Sequence, residues 1–289
     1  MTNLSRLFNL TKPGIALLLD LVAVSTFALG LKSTSEVWKI IPLLASGTLA
    51  SFSSSLANNF IDRDIDSRMR RTKWRSTIGS SIGYILSIPI LLAASLSISL
   101  LFLNAATTIW IFCGFLSYTV LYTLILKRRT SWNIVIGGIA GSFPALAGWS
   151  SVNSPYSEIS IFVALVVFLW TPTHFWTLAL KYRDDYKEAG IPMLPAVRDE
   201  RFTINTIIVN TVILISFSLL PVVMHFSFPL LYYALVIPLS GYFLLRVVSL
   251  KFREGKMLLA SSLKAFLASN YYLAAFLAIL ISAGAIRLF

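Results

Sequence analysis

The chain alternates long apolar segments with short polar ones over almost its whole length. Nine apolar segments can be marked, and most have the roughly 17–25 residues that an α-helix needs to cross the hydrocarbon core of a bilayer. They cover residues 14–31, 40–60, 82–103, 105–126, 134–149, 159–180, 204–224, 228–245 and 265–286. The pattern predicts an all-α, polytopic membrane protein with nine transmembrane helices.

The composition excludes an ordinary soluble protein. Of the 289 residues, 57% are hydrophobic and 12% are charged, with a mean hydropathy of +0.80, whereas a soluble domain carries about 25% charged residues. No soluble module separates the apolar segments, so we expect a single domain over residues 1–289. The only cysteine, Cys113, excludes a disulfide or a multi-cysteine metal site within the chain.

The basic residues indicate how the chain is oriented. A net charge of +12 would suggest nucleic-acid binding in a soluble protein, but here the charges lie in short loops. Of the 24 Lys and Arg residues, 21 lie at the N-terminus or in the loops after the second, fourth, sixth and eighth segments. Because Lys and Arg favour the cytoplasmic side, we expect a cytoplasmic N-terminus, a cell (plasma) membrane location and no nucleic-acid partner.

The acidic residues are concentrated in two of these cytoplasmic loops. Eight of the 12 follow the second or the sixth apolar segment. In the first loop, Asn58, Asp62 and Asp66 recur four residues apart. If the second helix continues through them, they share one stripe, because four residues rotate an α-helix by only about 40° from a full turn. Asp64 would then lie on the opposite side.

Two carboxylates and an amide oxygen on one stripe are suited to a divalent cation. Neighbouring carboxylates repel each other unless a cation lies between them, and Mg²⁺ takes oxygen ligands that substrate phosphates often complete. The Arg and Lys residues within 63–75 are suited to the remaining phosphate oxygens. The alternative is a solvated loop whose Asp–Arg pairs only neutralise each other. The second acidic loop on the same face favours a lipid diphosphate site.

Several stretches resemble one family of membrane enzymes. The spacing N-x-x-x-D-x-x-x-D at 58–66, with a second Asp-bearing loop, resembles the UbiA-type intramembrane prenyltransferase superfamily. Further stretches are most similar to its heme-farnesylating branch, the protoheme IX farnesyltransferases or heme o synthases. They lie at residues 10–13, 62–72, 133–138, 144–149, 171–176 and 184–195, and so extend over most of the chain.

The resemblance implies nine helices around a central cavity and a defined reaction. In this reaction, farnesyl diphosphate is cleaved with the help of Mg²⁺ and a vinyl group of heme b is alkylated, giving heme o and diphosphate. The metal and diphosphate site would comprise Asn58, Asp62 and Asp66 from the first loop and Asp184 and Asp185 from the second. The side chains expected to share the phosphate charge are Arg63, Arg71, Lys181 and Arg183.

The chain departs from the superfamily at two positions. Lys181 stands where the second motif usually has its earlier Asp, which fits the heme branch better than the quinone branch. After the first motif, Ser76 follows Arg75 where a proline is common. The second departure affects the local turn of the loop and leaves the proposed metal ligands in place.

A few single polar residues are candidates for contact with the acceptor. His174 lies eleven residues before Asp185, on about the same helical face and roughly 16 Å deeper, where it either ligates a porphyrin iron or bonds to a neighbouring helix. Asn133 begins a Gly-rich segment that borders the same face. Asp20, inside the first segment, either faces the cavity or stays protonated between helices. His225, the other histidine, lies in a tight loop on the opposite face.

Two alternative functions stay open at this point. One is prenyl transfer to another acceptor, such as a quinone precursor or a chlorophyll-type ring. The other is transport, but transporters place charge at the membrane midplane, and here all acids except Asp20 lie at segment ends. The expected partners are farnesyl diphosphate, heme b and the lipid bilayer, with transfer of the product to heme a synthase or to terminal oxidase assembly.

Overall fold

The computed structural model describes residues 8–76, 81–222 and 230–288, and within these ranges it contains helices and no strand. The α-helices are, in chain order, α1 (Pro13–Gly30), α2 (Ile40–Ile61), α3 (Arg63–Arg68), α4 (Lys73–Ser76), α5 (Ile82–Phe102), α6 (Ala105–Leu116), α7 (Asn133–Gly137), α8 (Phe143–Ser150), α9 (Glu158–Lys181), α10 (Arg183–Glu188), α11 (Leu194–Val197), α12 (Glu200–Ser218), α13 (Leu230–Val248) and α14 (Gly255–Leu288). A π-helix over Ser117–Leu126 extends α6. Short 3₁₀ turns cover Thr34–Lys39, Gly138–Gly141, Leu220–Val222 and Ser249–Phe252.

Eight helices of the described ranges are long and apolar enough to cross a membrane. They are Pro13–Gly30, Thr34–Ile61, Ile82–Phe102, Ala105–Leu126, Glu158–Lys181, Glu200–Ser218, Leu230–Phe252 and Gly255–Ile286. Each overlaps one of the nine predicted apolar segments. The prediction of an all-α, multi-pass membrane protein is therefore confirmed.

The fifth predicted segment, residues 134–149, is broken into short pieces instead of forming one long helix. It consists of α7, the 3₁₀ turn Gly138–Gly141 and α8. Glycine has a low helix propensity. It also permits close packing here, since a Cβ at Gly137 would lie 2.5 Å from the Tyr122 side chain. The count of nine spans and the side of the N-terminus stay predictions.

The core forms where α9 meets the C-terminal helices. Val163 and Val166 on α9 belong to the same buried cluster as Tyr272 and Phe276 on α14, and all four are fully buried. On the other side of the core, α8 crosses α1 so closely that a Cβ on Gly148 would collide with a backbone carbonyl of α1. In contrast, α5 exposes most of its apolar side chains, as expected for a helix that faces lipid.

Two spans end in the same way at one end of the bundle. Asp62 (φ −90°, ψ 11°) follows α2 and leads into the six-residue α3, and Tyr182 (φ −110°, ψ 28°) follows α9 and leads into the six-residue α10. Arg70, just after α3, forms an ion pair with Glu188 of α10 at 3.6 Å. The two acidic loops therefore lie at the same end of the bundle, as the sequence predicted.

Candidate active site

A cavity of about 420 Å³ opens between the helices below these two loops. Its walls come from α1, α2, α6 with its π extension, the α7–α8 segment, α9 and α14. The charged and amide side chains of the wall are Lys12, Asp20, Asn58, Asp62, Asp66, Arg71, Arg75 and Lys127. Most of the remaining wall is apolar or aromatic. The cavity thus joins a charged mouth to an apolar interior.

The first acidic loop presents its predicted stripe to this cavity. Asn58, Asp62 and Asp66 are buried and line the wall, because helical hydrogen bonding continues through the junction of α2 and α3. The Asp62 amide donates to the Asn58 carbonyl at 2.9 Å, and the Asp66 amide donates to the Asp62 carbonyl at 2.8 Å. The side chain of Asp64 is 53% exposed and lies away from the cavity, as the stripe predicted.

Two lysines from other elements reach into the acidic stripe. The Lys12 Nζ donates to Asn58 Oδ1 at 2.5 Å, and the Lys127 Nζ donates to Asp62 Oδ2 at 2.5 Å. Asn58 Nδ2 donates to the same Asp62 oxygen at 2.7 Å. Burial, reinforced by the charges of Arg75 and Lys127, lowers the pKa of Lys12 to about 7. Although burial opposes it, the charge of Asp62 and its hydrogen bond raise the pKa of Lys127.

Three buried polar atoms near the mouth have no hydrogen-bond partner within the described protein. They are Asp62 Oδ1, Thr72 Oγ1 and Arg75 Nε, and all three residues line the cavity. Buried polar groups are normally paired, so such atoms indicate a ligand that completes them. The carboxylate oxygen of Asp62 suits a cation. The guanidinium of Arg75 and the hydroxyl of Thr72 suit an anion.

The donor set of the stripe fits a hard divalent cation. Carboxylate and amide oxygens of Asn58, Asp62 and Asp66 are the ligands that Mg²⁺ prefers. Asp62 Oδ1 has no hydrogen-bond partner in the described residues, with Arg128 4.0 Å away. Among the described residues, no three His, Cys, Asp or Glu side chains come close enough to hold a metal by themselves. A cation here would need substrate oxygens and water as further ligands, which is usual for Mg²⁺.

The second acidic loop lies at the same end and contributes Tyr186 to the cavity wall, but its acids do not line the cavity. The side chain of Asp184 is 85% exposed and lies 3.7 Å from Arg183, and Asp185 is only partly buried. Arg183 itself donates to Glu200 at 3.0 Å. The structure therefore does not bring these acids together with the first stripe, and their predicted role in binding metal stays a prediction.

Of the four side chains expected to share the phosphate charge, only one lines the cavity. Arg71 lines the cavity and stacks over Tyr182 at 5.1 Å, next to the acidic stripe. Arg63 instead donates to the carbonyl of Ser76 at 3.4 Å, and Lys181 lies over the Tyr182 ring at 5.5 Å. The cavity wall does not include Arg63, Lys181 or Arg183.

Deeper in the cavity, His174 and Asp20 occupy different walls. His174 forms the expected bond to a neighbouring helix, because its Nδ1 lies 2.9 Å from Ser269 Oγ on α14. It also lines the cavity, and ligation of a porphyrin iron stays a prediction. Asp20 also lines the cavity and accepts a hydrogen bond from Thr48 on α2 at 2.6 Å. His225 lies outside the described residues.

Asn133 supports the site and does not line it. Its side chain is fully buried, and its Nδ2 donates to the Thr130 carbonyl at 2.7 Å and to the Lys127 carbonyl at 3.4 Å. These bonds fix the loop that carries Lys127. The substrate contact predicted for Asn133 has no counterpart in the cavity wall.

Sequence reasoning missed several residues of the mouth as substrate contacts. They are Lys12, Thr72, Tyr118, Tyr122 and Lys127, whereas Arg75 belongs to the basic residues of 63–75 already expected to bind phosphate. For the lysines a signal existed, since Lys12 directly precedes the first span and Lys127 directly follows the π-helix that ends the fourth. Their contacts bring together residues 46 and 65 positions apart in the chain, and no local pattern indicates such pairs.

Comparison with known proteins identifies the family of the chain. Residues 19–270 match the UbiA prenyltransferase family. Protoheme IX farnesyltransferase 2 of Picrophilus torridus is 46% identical over 225 residues, which are 76% of this chain and 78% of that protein. Protoheme IX farnesyltransferase of Synechocystis sp. is 36% identical over 92% of this chain and 84% of that protein.

Solved structures share the fold at low sequence identity. A structure of a digeranylgeranylglyceryl phosphate synthase superposes with a TM-score of 0.74 at 17% identity, covering 98% of this chain and all of that chain. A UbiA homolog from Archaeoglobus fulgidus bound to DMAPP and Mg²⁺ gives a TM-score of 0.72 at 17% identity, covering 95% and 98% of the two chains. The family match covers more than half of the chain, and the protein is therefore a membrane-embedded prenyltransferase that belongs to the UbiA prenyltransferase family.

Proposed function

We propose that the protein transfers a farnesyl group from farnesyl diphosphate to a vinyl group of heme b, giving heme o and diphosphate. The observation that carries this proposal is a mouth of paired carboxylates, lysines and arginines above an apolar cavity with a histidine in its wall. The relatives named protoheme IX farnesyltransferase support the choice of donor and acceptor. A charged mouth suits a diphosphate, and an apolar interior suits a prenyl chain and a porphyrin.

The donor would bind at the mouth with Mg²⁺. Asn58, Asp62 and Asp66 would hold the metal, and Asp184 and Asp185, in the loop joined to the first by the Arg70–Glu188 ion pair, would complete the site. When bound, Mg²⁺ supplies charge stabilisation for the departing diphosphate. The orphaned Asp62 Oδ1 supports this assignment.

The chain's own cations would neutralise the diphosphate as the allylic carbon–oxygen bond breaks. Lys12, Lys127, Arg71 and Arg75 already face the cavity, and Arg63, Lys181 and Arg183 lie in the same two loops. Fixed charges aimed at a developing anion stabilise a transition state more than they stabilise the ground state. Lys12 and Lys127, both partly buried against the acidic stripe, therefore count as candidate catalytic residues.

The apolar cavity would protect the allylic cation until the acceptor reacts. Its wall below the mouth is formed largely by aliphatic and aromatic side chains, which exclude water. The electrons of the heme vinyl group form the new carbon–carbon bond, and water adds to the resulting cation and loses a proton. His174 would contact the porphyrin in the wall. The active loops would face the cytoplasm from the plasma membrane, and the product would pass to heme a synthase or terminal oxidase assembly.

The test is reconstitution of the purified protein with defined substrates. In the presence of Mg²⁺, farnesyl diphosphate and heme b should give a product with the mass of heme b plus a farnesyl and a hydroxyl group. EDTA should abolish the product, and added Mg²⁺ should restore it. A prenylated quinone precursor or chlorophyll-type ring, formed where heme b does not react, would replace the heme assignment and leave the prenyltransferase assignment intact.

A further inference from the structure

We infer that Ser269 fixes His174 in the tautomer whose Nε2 offers a lone pair to the cavity, as the axial ligand of a porphyrin iron. This inference rests on the proposed function, because it assumes a metalloporphyrin acceptor. It adds a positioning residue on α14, a helix in which no sequence motif indicated a functional role.

The tautomer follows from the hydrogen bonds of Ser269. The Ser269 hydroxyl lies 2.7 Å from the Phe266 carbonyl, to which it donates, and 2.9 Å from His174 Nδ1. A serine hydroxyl has one proton to donate, so with that proton on the Phe266 carbonyl, the bond between Ser269 and His174 is donated by Nδ1–H. In the neutral imidazole the free lone pair is then on Nε2.

The ring is held tightly in this orientation. Trp170 stacks on the imidazole with ring centroids 4.1 Å apart, and Phe266 lies against it at 4.5 Å. The indole Nε1 of Trp170 donates to the Ser269 carbonyl at 2.7 Å. Ser269 thus binds two side chains that stand one turn apart on α9, and this arrangement prevents the imidazole from rotating freely.

Nε2 is the ring nitrogen that the described residues leave without a hydrogen bond, and Phe175 contacts the ring edge-on at 5.1 Å. His174, Trp170 and Phe266 all line the cavity. Histidines that bind metal generally donate their other ring N–H to a protein oxygen, which orients the ring and strengthens the ligand. A porphyrin already supplies four nitrogen ligands, so a single histidine is sufficient to bind its iron.

The depth of His174 is consistent with this role. It lies seven residues before the end of α9 at Lys181, about 10 Å below the mouth along the helix axis. An iron bound there would leave the edge of the porphyrin able to reach toward the mouth, where the allylic carbon is released.

The experiment is a spectroscopic titration of ferric heme b into the purified protein and its variants. The wild type should show a Soret band typical of histidine ligation, and His174→Gly should lose it. Ser269→Ala should shift the band and weaken heme binding roughly 10–100-fold, the usual effect of losing such a supporting hydrogen bond. Ser269→Thr, which keeps the hydroxyl, should restore both.

A matched control separates this effect from general packing. Ser262 lies on the same helix, is fully buried and donates to the Leu259 carbonyl at 2.9 Å, but it is not bonded to a histidine. Ser262→Ala should bind heme as the wild type does. Added imidazole should restore the Soret band of His174→Gly, which also tests ligation if Ser269→Ala is poorly folded.

Each contrary result overturns a different statement. If Ser269→Ala keeps the wild-type spectrum and affinity, or if Ser262→Ala weakens binding equally, Ser269 has no positioning role. If His174→Gly keeps the spectrum, His174 is not the ligand. If the wild type binds no heme at all, the proposed acceptor itself is wrong, and that outcome is distinct from the other two.

Discussion

Asp62 and Asp64 stand two residues apart, yet the fold gives them opposite environments. Asp62 is buried in the cavity wall beside Lys127. Asp64 is half exposed, and both of its oxygens accept hydrogen bonds from Arg128 at 2.7 and 2.8 Å. The hydrogen bonds from Arg128 lower the pKa of Asp64, so this acid is a partner of an arginine at the surface. Asp62 therefore lines the proposed site, whereas Asp64 connects its loop to Arg128 at the surface.

This contrast makes a direct comparison of two alanine variants informative. Asp62→Ala should lower kcat by about 100-fold or more, since it removes a proposed metal ligand and the partner of Lys127. Asp64→Ala should lower kcat only a few-fold, because an exposed ion pair contributes little. Initial rates at matched expression measure both, and equal losses would refute the assignment of the stripe.

Lys127 offers a second test at the same scale. Lys127→Gln should raise the KM for farnesyl diphosphate and lower kcat about 10–100-fold, because a partly buried cation that lines the proposed diphosphate site is lost. Arg129→Gln is the matched control, since Arg129 is exposed two residues later and does not line the cavity. Wild-type kinetics of Lys127→Gln would remove the lysine from the catalytic site.

The stripe residues that the sequence predicted lie close together in the chain, whereas the lysines that it missed come from distant parts of the chain. Asn58, Asp62 and Asp66 were predictable because i to i+4 hydrogen bonding continues from α2 through Asp62 into α3 and keeps helical periodicity across the junction. Lys12 and Lys127 reach the same point from two other elements, and only the packing of α1, α2 and α6 determines that meeting. For Asp184 and Asp185, the resemblance predicted metal binding, and the structure places them at the mouth but outside the wall.

At the scale of elements, hydropathy predicted the long spans well and the fifth segment poorly. The first two spans were expected at 14–31 and 40–60 and are found at Pro13–Gly30 and Ile40–Ile61. Length and apolarity are the physical requirements of crossing a bilayer, so they are visible in the sequence. Whether an apolar stretch stays one helix depends on where its glycines meet other helices, which the sequence does not reveal.

Gly148 allows that contact to be tested. An added Cβ would lie 1.9 Å from the Ala23 carbonyl oxygen, a backbone atom of α1 that cannot swing aside. Gly148→Ala should therefore push α8 away from α1 and cost at least about 1–3 kcal/mol of stability, the range for overpacked sites. The Tm of Gly148→Ala in detergent should be clearly lower than that of the wild type.

Gly83→Ala is the control for this prediction. Gly83 also lies in a helix, but an added Cβ there would meet no atom within 4 Å. Alanine has a higher helix propensity than glycine, so this variant should have the wild-type Tm or a slightly higher one. Equal stability of the two variants would show that α8 can shift from α1 without cost.

At the scale of the whole molecule, the two acidic loops share one end of the bundle, and this fact bears on the number of spans. The Arg70–Glu188 ion pair joins the loops directly. Between them the chain passes through α5, through α6 with its π extension, through the broken α7–α8 segment and through α9. An even number of crossings is needed to return to the same side, so the broken segment must cross as a unit for the loops to meet.

Cysteine labelling tests this topology, starting from a Cys113→Ser background so that the chain holds no other thiol. Ser67→Cys and Lys187→Cys place thiols at exposed positions in the two acidic loops, and Ser35→Cys places one between α1 and α2 at the opposite end. A membrane-impermeant maleimide should label the first two only from the cytoplasmic side, because Lys and Arg concentrate there, and the third only from outside. Labelling of Ser67→Cys and Lys187→Cys from opposite sides would mean that residues 134–149 do not cross. Labelling of both from outside would keep the nine crossings and invert the orientation, placing the diphosphate site away from the cytoplasm.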